Sequence, residues 1–245
     1  MNQAAEAWTM PYRNMSLDDF ARYVGLDARE VQKLADRGKL PGQKVGGEWR
    51  FNQARVTEWL QQEMPSLDES RLVTLERAMG GGADDGSMIV TDLIGLEGID
   101  SAMRANTKGS VLRELVKLAE RTGLLYDPEG LLAALEAREE MCSTGLQHGV
   151  AIPHPRQPMS YVSAEPLVCV ARTSRGIGFG SPYGELSRLF FLICCHDDRH
   201  HLRVLARLMR ILTPDTIEAV MAVDSREKLL KALIEKETQV VEAVR

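Results

Sequence analysis

A run of glycine and aspartate, GGGADDGS at residues 80–87, interrupts the chain. Such a run cannot bury enough apolar surface to join a core, and its glycines leave the backbone unrestricted. The sequence therefore predicts two domains separated by a flexible connection. We place a small N-terminal domain at residues 10–64, a short helix with the linker at 65–88, and a larger C-terminal domain at 89–240.

The composition is typical of a globular protein. With 245 residues, 44% of them hydrophobic, the chain can build the cores of two modest domains. Its four cysteines form no CxxC pair, which favours reduced thiols in the cytoplasm. The longest apolar run, residues 189–195, is far shorter than the ~20 residues of a membrane helix, and no signal peptide is evident. We therefore expect a cytoplasmic protein without membrane insertion.

The first domain contains the signals of helix, turn, helix, hairpin and helix, in that order. Ser16 and Asp27 are each placed to cap a short helix, and a glycine follows each helix. The dipeptide Gly46-Gly47 predicts a hairpin turn between two short strands. Apolar spacing predicts a further helix over residues 53–63. Two short helices joined by a glycine turn indicate a helix-turn-helix.

This order of elements, with GKLP at residues 38–41 and GGEWRF at 46–51, resembles the excisionase and MerR-like winged helix-turn-helix family. The resemblance implies that the second helix enters the DNA major groove while the hairpin approaches phosphates. The side chains that it assigns to DNA are Arg29, Gln32 and Lys33 of the helix and Lys44 and Arg50 of the hairpin.

The charge of the first domain leaves other interpretations open. Residues 1–64 hold nine basic and nine acidic residues, whereas DNA binding depends on positive charge that displaces counterions. The three helix side chains are also consistent with an ordinary solvated helix face. The domain is expected to bind DNA, with a homodimer doubling the contacts, or to hold another protein.

The second half alternates helical and strand-like segments. Two helices are expected first, over residues 108–122 and 128–141. Strands follow at residues 150–153, 167–172 and 188–195, and further helices at 199–212, 214–222 and 225–237. This alternation predicts the α/β class, with a mixed-sheet α/β sandwich next to the small N-terminal winged helix-turn-helix domain.

One histidine of the second half stands directly between two prolines. Pro153 and Pro155 both restrict the backbone, so His154 is expected to be presented from a stiff loop at the end of a short strand. Such a placement suits a nucleophile. The alternative is an ordinary loop histidine that makes one surface hydrogen bond.

The residues around His154 resemble the active-site segment of type 2 EIIA domains, the fructose, mannitol and nitrogen-regulatory kind of the bacterial phosphoenolpyruvate-dependent phosphotransferase system. That pattern runs Arg-Glu, Ser-Thr-Gly and Gly-Ile-Ala-Ile-Pro-His, and residues 138–139, 143–145 and 149–154 match it in order, with valine in place of the first isoleucine. The segments GIGFGSPYGE at 176–185 and HLRVLARL at 201–208 resemble the family as well. The resemblance covers residues 89–238.

The resemblance implies a role for several side chains. His154 would accept a phosphoryl group from an HPr-like phosphocarrier protein. Arg138 would neutralise the phosphoryl charge with its planar guanidinium. The hydroxyl groups of Ser143 and Thr144, with neighbouring amides, would supply further donors.

A second histidine of the family pattern opens a helix and is followed by leucine. His201 fits this position, and a register shift of one residue to His200 stays open. A rival interpretation places His196 and His200, spaced i, i+4, in a metal site together with the intervening aspartates. Those aspartates are better suited to cap the helix, so we expect no metal and no cofactor.

Together these features predict a regulator in which an EIIA-type phosphohistidine carrier is coupled to a DNA-binding module. Phosphorylation of His154 would add negative charge near a partner surface and change affinity for DNA or protein. Two alternatives stay open. One is a phosphocarrier that passes phosphate from HPr to a separate EIIB, and the other is a non-phosphorylated regulator that binds proteins.

Overall fold

The computed structural model describes residues 14–81, 87–182 and 184–243. Residues 10–13 of the predicted first domain and 82–86 of the glycine-rich run lie outside the described residues, and the predicted domain boundaries stay predictions. The N-terminal elements are β1 Asn14–Met15, α1 Leu17–Val24, α2 Ala28–Asp36, β2 Gly42–Val45, β3 Glu48–Asn52, α3 Gln53–Glu63 and α4 Glu69–Met79. A 3-10 turn at Met64–Ser66 joins α3 to α4. The predicted helix-turn-helix with a hairpin is confirmed.

The first two helices begin where their capping residues predict. The Ser16 hydroxyl accepts from the backbone N–H of Asp19, and the Asp19 carboxylate accepts in return from the N–H of Ser16. Gly25 ends α1 in the left-handed region, with φ of 71°. The Asp27 carboxylate caps α2 by accepting from the N–H of Arg29 at 2.8 Å.

The hairpin between β2 and β3 depends on its two glycines. Gly46 and Gly47 have φ values of 62° and 88°, a left-handed pair that other residues rarely adopt. The turn sets Val45 opposite Glu48 in an antiparallel ladder. On its other side β3 pairs with β1, so that the small sheet has the order β1-β3-β2.

The C-terminal part contains a four-stranded mixed sheet flanked by helices, which confirms the predicted α/β class. Its elements are β4 Ile99–Asp100, α5 Lys108–Arg121, α6 Pro128–Met141, β5 Val150–Ala151, β6 Leu167–Ile177, β7 Ser187–Cys194, α7 Asp198–Ile211, α8 Pro214–Ala222 and α9 Arg226–Glu242. The strand order is β4-β6-β7-β5, with β6 and β7 antiparallel and both edge strands parallel to their neighbours.

Three of the predicted boundaries differ from the observed ones by two residues or more. β5 ends at Ala151, short of residue 153, where Pro153 has no N–H to contribute to a ladder. β6 continues past Arg172 to Ile177 across an irregularity in its pairing with β7. The last helix, α9, extends beyond residue 237 to Glu242.

The side chains of β6 alternate between two cores, one on each face of the sheet. Cys169 and Ala171 pack with α5 and α6. Val168 and Val170 pack with α7 and α9, and the same core continues into the N-terminal domain as far as Phe20. The N-terminal domain therefore packs against the α7 side of the sheet.

α4 lies antiparallel to α7. At its start Glu69 binds Arg210, near the end of α7, and further along Glu76 binds Arg207. α4 is the short helix that the sequence predicts within residues 65–88. In the structure α4 packs on α7 of its own chain.

The four cysteines all fall in the described ranges and are free thiols, three of them buried. No helix in those ranges is both long and apolar enough to cross a membrane. The cytoplasmic location stays a prediction.

Candidate functional site

His154 lies in the loop that follows β5. β5 pairs in parallel with β7, with Val150 opposite Leu189, and this pairing anchors the loop. The imidazole is only 4% exposed. Its Nδ1 lies 2.7 Å from the carbonyl oxygen of Ile152. Since a carbonyl only accepts, Nδ1 carries the proton and Nε2 keeps its lone pair.

Nε2 of His154 is buried and meets no hydrogen-bond partner in the described part of the chain. Burial, and then the charge of nearby Arg138, lowers the pKa of His154 to about 4. The imidazole is therefore neutral at pH 7. A neutral imidazole with an unengaged nitrogen is the form that attacks an electrophile.

A second imidazole lies next to the first. His201 is in the first turn of α7, and its ring centroid is 4.9 Å from that of His154. Burial, followed by the charges of His154 and Arg138, holds the pKa of His201 well below its usual range. The structure thus brings His201 to His154, while His200 is half-buried one position earlier.

Arg138 approaches the histidines from the last turn of α6. It is 5% exposed, and its Nη1 donates to the carbonyl oxygen of Cys142 at 2.6 Å. Its Nε is buried and finds no acceptor among the described residues. A buried guanidinium with an unused donor is suited to bind an anion.

The hydroxyl groups of Ser143 and Thr144 are engaged by the protein itself. Ser143 Oγ donates to the carbonyl of Phe179 at 2.7 Å and accepts from the N–H of Gly145 at 3.0 Å. Thr144 donates its hydroxyl and its backbone N–H to the Glu139 carboxylate. Both residues shape the loop in this structure, and their role as phosphoryl donors stays a prediction.

Glu139 and Lys108 support the loop that contains Ser143 and Thr144, and the sequence-based prediction assigns neither of them a role. Lys108 Nζ donates to the second oxygen of Glu139 at 3.1 Å and lies 5.2 Å from the ring centroid of Phe179. Glu139 is part of the Arg-Glu pair of the family pattern, a signal that points to it. Lys108 comes 31 residues earlier and has no such signal.

His154 and Arg138 line a cavity of about 440 Å³. One wall consists of Arg138, His154 and the loop between α6 and β5, and the opposite wall comes from α3, α4 and the turn between them. The amide nitrogen of Gln61 in α3 lies 3.1 Å from Nε2 of His201. Gln61 has no role in the sequence-based prediction, because a polar residue on a short helix carries no sign of such a contact.

The three residues of α2 predicted to contact DNA differ in their surroundings. Arg29 and Lys33 are exposed. Gln32 is half-buried and donates its amide to the Asp36 carboxylate at 2.8 Å. Arg29 and Lys33 are therefore open to a partner, whereas Gln32 would have to leave Asp36.

The two hairpin residues predicted to approach phosphates are both paired with carboxylates. Lys44 lies 3.2 Å from Asp36 and over the ring of Trp49. Arg50 lies 2.7 Å from Glu48. All these pairs are exposed or half-exposed, so they weaken the positive field of the hairpin without blocking access.

The alternative metal site has no support among the described residues, where no group of three or more histidine, cysteine, aspartate or glutamate side chains is placed to hold an ion. Nε2 of His196 lies 3.0 Å from the carbonyl oxygen of Ser163. Asp197 caps α7 by accepting from the N–H of His200 at 2.9 Å.

Two family models match this chain. The model for the phosphoenolpyruvate-dependent sugar phosphotransferase system, EIIA 2, matches residues 93–236, which is more than half of the chain. The model for a helix-turn-helix domain matches residues 15–64. The first match includes the cavity wall that consists of Arg138, His154 and the loop between α6 and β5. The second match includes α1, α2, the hairpin and α3.

Relatives and solved structures agree with these matches. A fructose-specific EIIABC component of Bacillus subtilis is 28% identical over 154 residues, covering 62% of this chain and 22% of the relative. A nitrogen regulatory protein of Bradyrhizobium diazoefficiens is 35% identical over 134 residues, covering 53% of this chain and 84% of the relative.

The crystal structure of nitrogen regulatory protein IIA-Ntr from Neisseria meningitidis aligns with a TM-score of 0.54 at 30% identity. The alignment covers 60% of this chain and 99% of that one. The chain thus spans less than a quarter of the Bacillus protein but most of both nitrogen regulatory proteins. It belongs to the EIIA 2 family of the phosphoenolpyruvate-dependent sugar phosphotransferase system and carries a helix-turn-helix domain ahead of the family's domain.

Proposed function

We propose that this protein is a phosphohistidine carrier whose phosphorylation regulates a DNA-binding module. The observation that carries the proposal is the state of His154. Its Nδ1 donates to a backbone carbonyl, and the imidazole is neutral. Its Nε2 has no hydrogen-bond partner among the described residues and lies in a cavity that Arg138 also lines. Phosphoryl transfer requires a positioned nucleophile and donors that stabilise charge. His154 would be the nucleophile and Arg138 the donor.

The proposed step is an exchange of one phosphorus–nitrogen bond for another. Nε2 of His154 attacks the phosphorus of a phosphohistidine on the donor protein. The donor's bond breaks as the new bond forms, and the departing imidazole keeps the electron pair. The proton on Nδ1 stays in its hydrogen bond to Ile152. The unused Nε donor of Arg138 would offset charge on the transferred group.

The proposed donor is an HPr-like phosphocarrier protein, in keeping with the family match. We also propose that the protein and its partners are cytoplasmic, because four free thiols suit a reducing compartment. The Bacillus relative is named an EIIABC component, so its EIIA part shares a chain with B and C parts. For the present protein an EIIB-like acceptor is proposed as a separate chain.

The N-terminal domain is proposed to bind DNA through α2, because Arg29 and Lys33 are exposed and the domain has the helix-turn-helix order. Lys44 and Arg50 already face carboxylates, so one copy of the domain would bind weakly. A homodimer would double the phosphate contacts.

Intact-mass measurement tests the carrier function. After incubation with phosphoenolpyruvate, Enzyme I and HPr, the wild-type protein should gain about 80 Da and His154→Ala should gain nothing. His196→Ala is the matched control, because His196 binds Ser163 away from the cavity lining and should leave the gain unchanged. A wild-type protein that gains no mass from a competent donor system would contradict the proposal.

DNA binding is tested by titration at several salt concentrations. Arg29→Ala and Lys33→Ala should each weaken binding and reduce the slope of log affinity against log salt by about one. Arg113→Ala, on the exposed side of α5, should change neither quantity. If no salt-dependent binding is found, the N-terminal domain is a protein-docking module instead.

The competing function is a plain phosphocarrier, which the name of the Bacillus relative favours. Transfer of the phosphoryl group from His154 to a purified EIIB, with DNA affinity the same before and after phosphorylation, would support it. A protein that accepts no phosphoryl group but still binds partners would instead be a non-phosphorylated regulator.

A further inference from the structure

The N-terminal domain covers the face from which His154 must be reached. His154 is 4% exposed, although transfer requires a donor protein to bring its phosphorus within bonding distance of Nε2. Gln61 and Met64 of the N-terminal part, together with Leu72 of α4, form the wall of the cavity opposite the site. A donor of protein size therefore cannot approach until this wall moves.

Gln61 also contacts His201, the neighbour of His154, directly. Its side chain is 5% exposed, its amide nitrogen lies 3.1 Å from Nε2 of His201, and its Oε1 meets no partner in the described ranges. Whichever end of the amide faces the ring, the contact occupies Nε2 of His201. That nitrogen is then withheld from a phosphoryl group on neighbouring His154.

A phosphoryl group would be poorly stabilised beneath this cover. It brings a charge of about −1.5 to −2 into the cavity. Among the described lining residues Arg138 is the one permanent cation, and the N-terminal wall contributes neutral side chains, among them Met64, Leu72 and Gln61. Because a buried dianion beside a single cation is unfavourable, phosphorylation favours a state in which the cavity opens to water.

Polar contacts hold the N-terminal domain and α4 in place on the C-terminal domain. They include Glu58 to Arg156 at 2.8 Å, Gln53 to Asp198 at 3.3 Å and Glu76 to Arg210 at 2.7 Å. The last two end on α7, as do the contacts of Gln61 and Glu69 described above. The wall formed by α3, α4 and the turn between them is therefore bound to α7, the helix to which His201 belongs.

We propose that the N-terminal domain and the phosphocarrier partner compete for this face, so that docking of the domain and phosphorylation of His154 exclude each other. The inference rests on the proposed function, since it concerns access to the same histidine. Docking slows uptake of the phosphoryl group. By linkage, the free energy by which docking disfavours the phosphorylated state equals the free energy by which phosphorylation disfavours docking.

A crosslink that keeps the domain docked tests the competition. In a Cys142→Ser background, Glu58→Cys and Arg156→Cys are joined by a short bismaleimide, while the three native buried thiols stay unreactive. Phosphoryl uptake from phosphoenolpyruvate, Enzyme I and HPr is followed by intact mass. The crosslinked protein should take up phosphate about tenfold more slowly, or slower still, than the same protein before crosslinking.

The single variant Arg156→Cys, treated with the same reagent, controls for the bulk of the reagent beside the site. It carries the reagent without joining the domains and should take up phosphate at the rate of the same variant before treatment. In the opposite direction, Glu58→Arg sets two guanidinium groups against each other and should raise the uptake rate about twofold or more. The charge swap Glu58→Arg with Arg156→Glu should return the rate towards that of the wild type.

The outcomes separate this inference from the proposed function. Equal uptake rates before and after crosslinking would overturn the competition and leave the carrier function standing. No uptake in any form of the protein would overturn the carrier function, and this inference with it.

Discussion

At the scale of single residues, the backbone selects the reactive nitrogen of His154. The carbonyl oxygen of Ile152, two residues earlier, accepts from Nδ1 at 2.7 Å. Pro153 stands between them and restricts the loop. The loop that presents the imidazole therefore also sets its tautomer, and no second side chain is needed for that purpose.

The lowered pKa of His154 gives a pH prediction with a definite sign. The pKa falls from 6.5 to about 4 in the folded protein, so the unfolded chain takes up a proton first as the pH drops. Above about pH 6.5 His154 is neutral in both states, and its burial costs no stability through protonation. Between about pH 6.5 and 4 the free energy of unfolding falls progressively, because the unfolded chain binds a proton that the folded protein does not. For this group the loss reaches about 3 kcal/mol.

Imidazole carbon signals in NMR spectra measure this pKa directly. We expect the His154 signal to stay that of a neutral ring at pH 5.5. In urea unfolding at pH 7 and pH 5, His154→Gln should reduce the difference in unfolding free energy between the two conditions. A His154 signal that titrates near pH 6.5 would mean that the imidazole is solvated, contrary to the structure.

At the scale of elements, the contact between α4 and α7 depends on a buried ion cluster. Glu76 binds both Arg207 and Arg210, and all three are nearly fully buried. Glu76→Ala removes the carboxylate that the two arginines share and should lower the free energy of unfolding by about 3–5 kcal/mol. Urea denaturation measures the loss.

Glu69→Ala is the matched control for this prediction. Glu69 also binds Arg210, at 2.7 Å, but its side chain is 62% exposed. Its removal should cost less than about 1 kcal/mol, because water replaces the contact. Equally small losses for both variants would mean that the cluster does not hold α4 in place.

Elements that depend on neighbouring residues were predictable, and those that depend on distant partners were not. Ser16 and Gly25 mark the ends of α1 because capping is a local interaction. The two-residue strands β1 and β4 were missed, since each exists only through pairing with a strand far along the chain. No periodicity can develop over two residues.

The candidate site was predictable on its C-terminal side only. His154, Arg138 and His201 follow from the family pattern, and the structure brings them together. The contact of Gln61 with His201 joins positions 140 residues apart and leaves no trace in the sequence. Glu76 and its arginines likewise resemble ordinary surface charges until α4 packs on α7.

At the scale of the whole molecule, α7 connects the two halves. It carries His201 at its start and the arginines that bind α4 further along. In the docked arrangement Arg29 and Lys33 of α2 remain exposed, so docking covers the phosphoryl site but not the proposed DNA-binding helix. On this account phosphorylation affects DNA binding by freeing the N-terminal domain, not by uncovering α2.

Amide hydrogen exchange, measured before and after phosphorylation, tests the coupling most directly. With the mass gain confirmed in the same sample, exchange in α3 and α4 should become faster once His154 carries a phosphoryl group. His154→Ala, treated identically, should show no change. Unchanged exchange in a fully phosphorylated sample would contradict the account, because the N-terminal domain would then stay docked over a phosphohistidine.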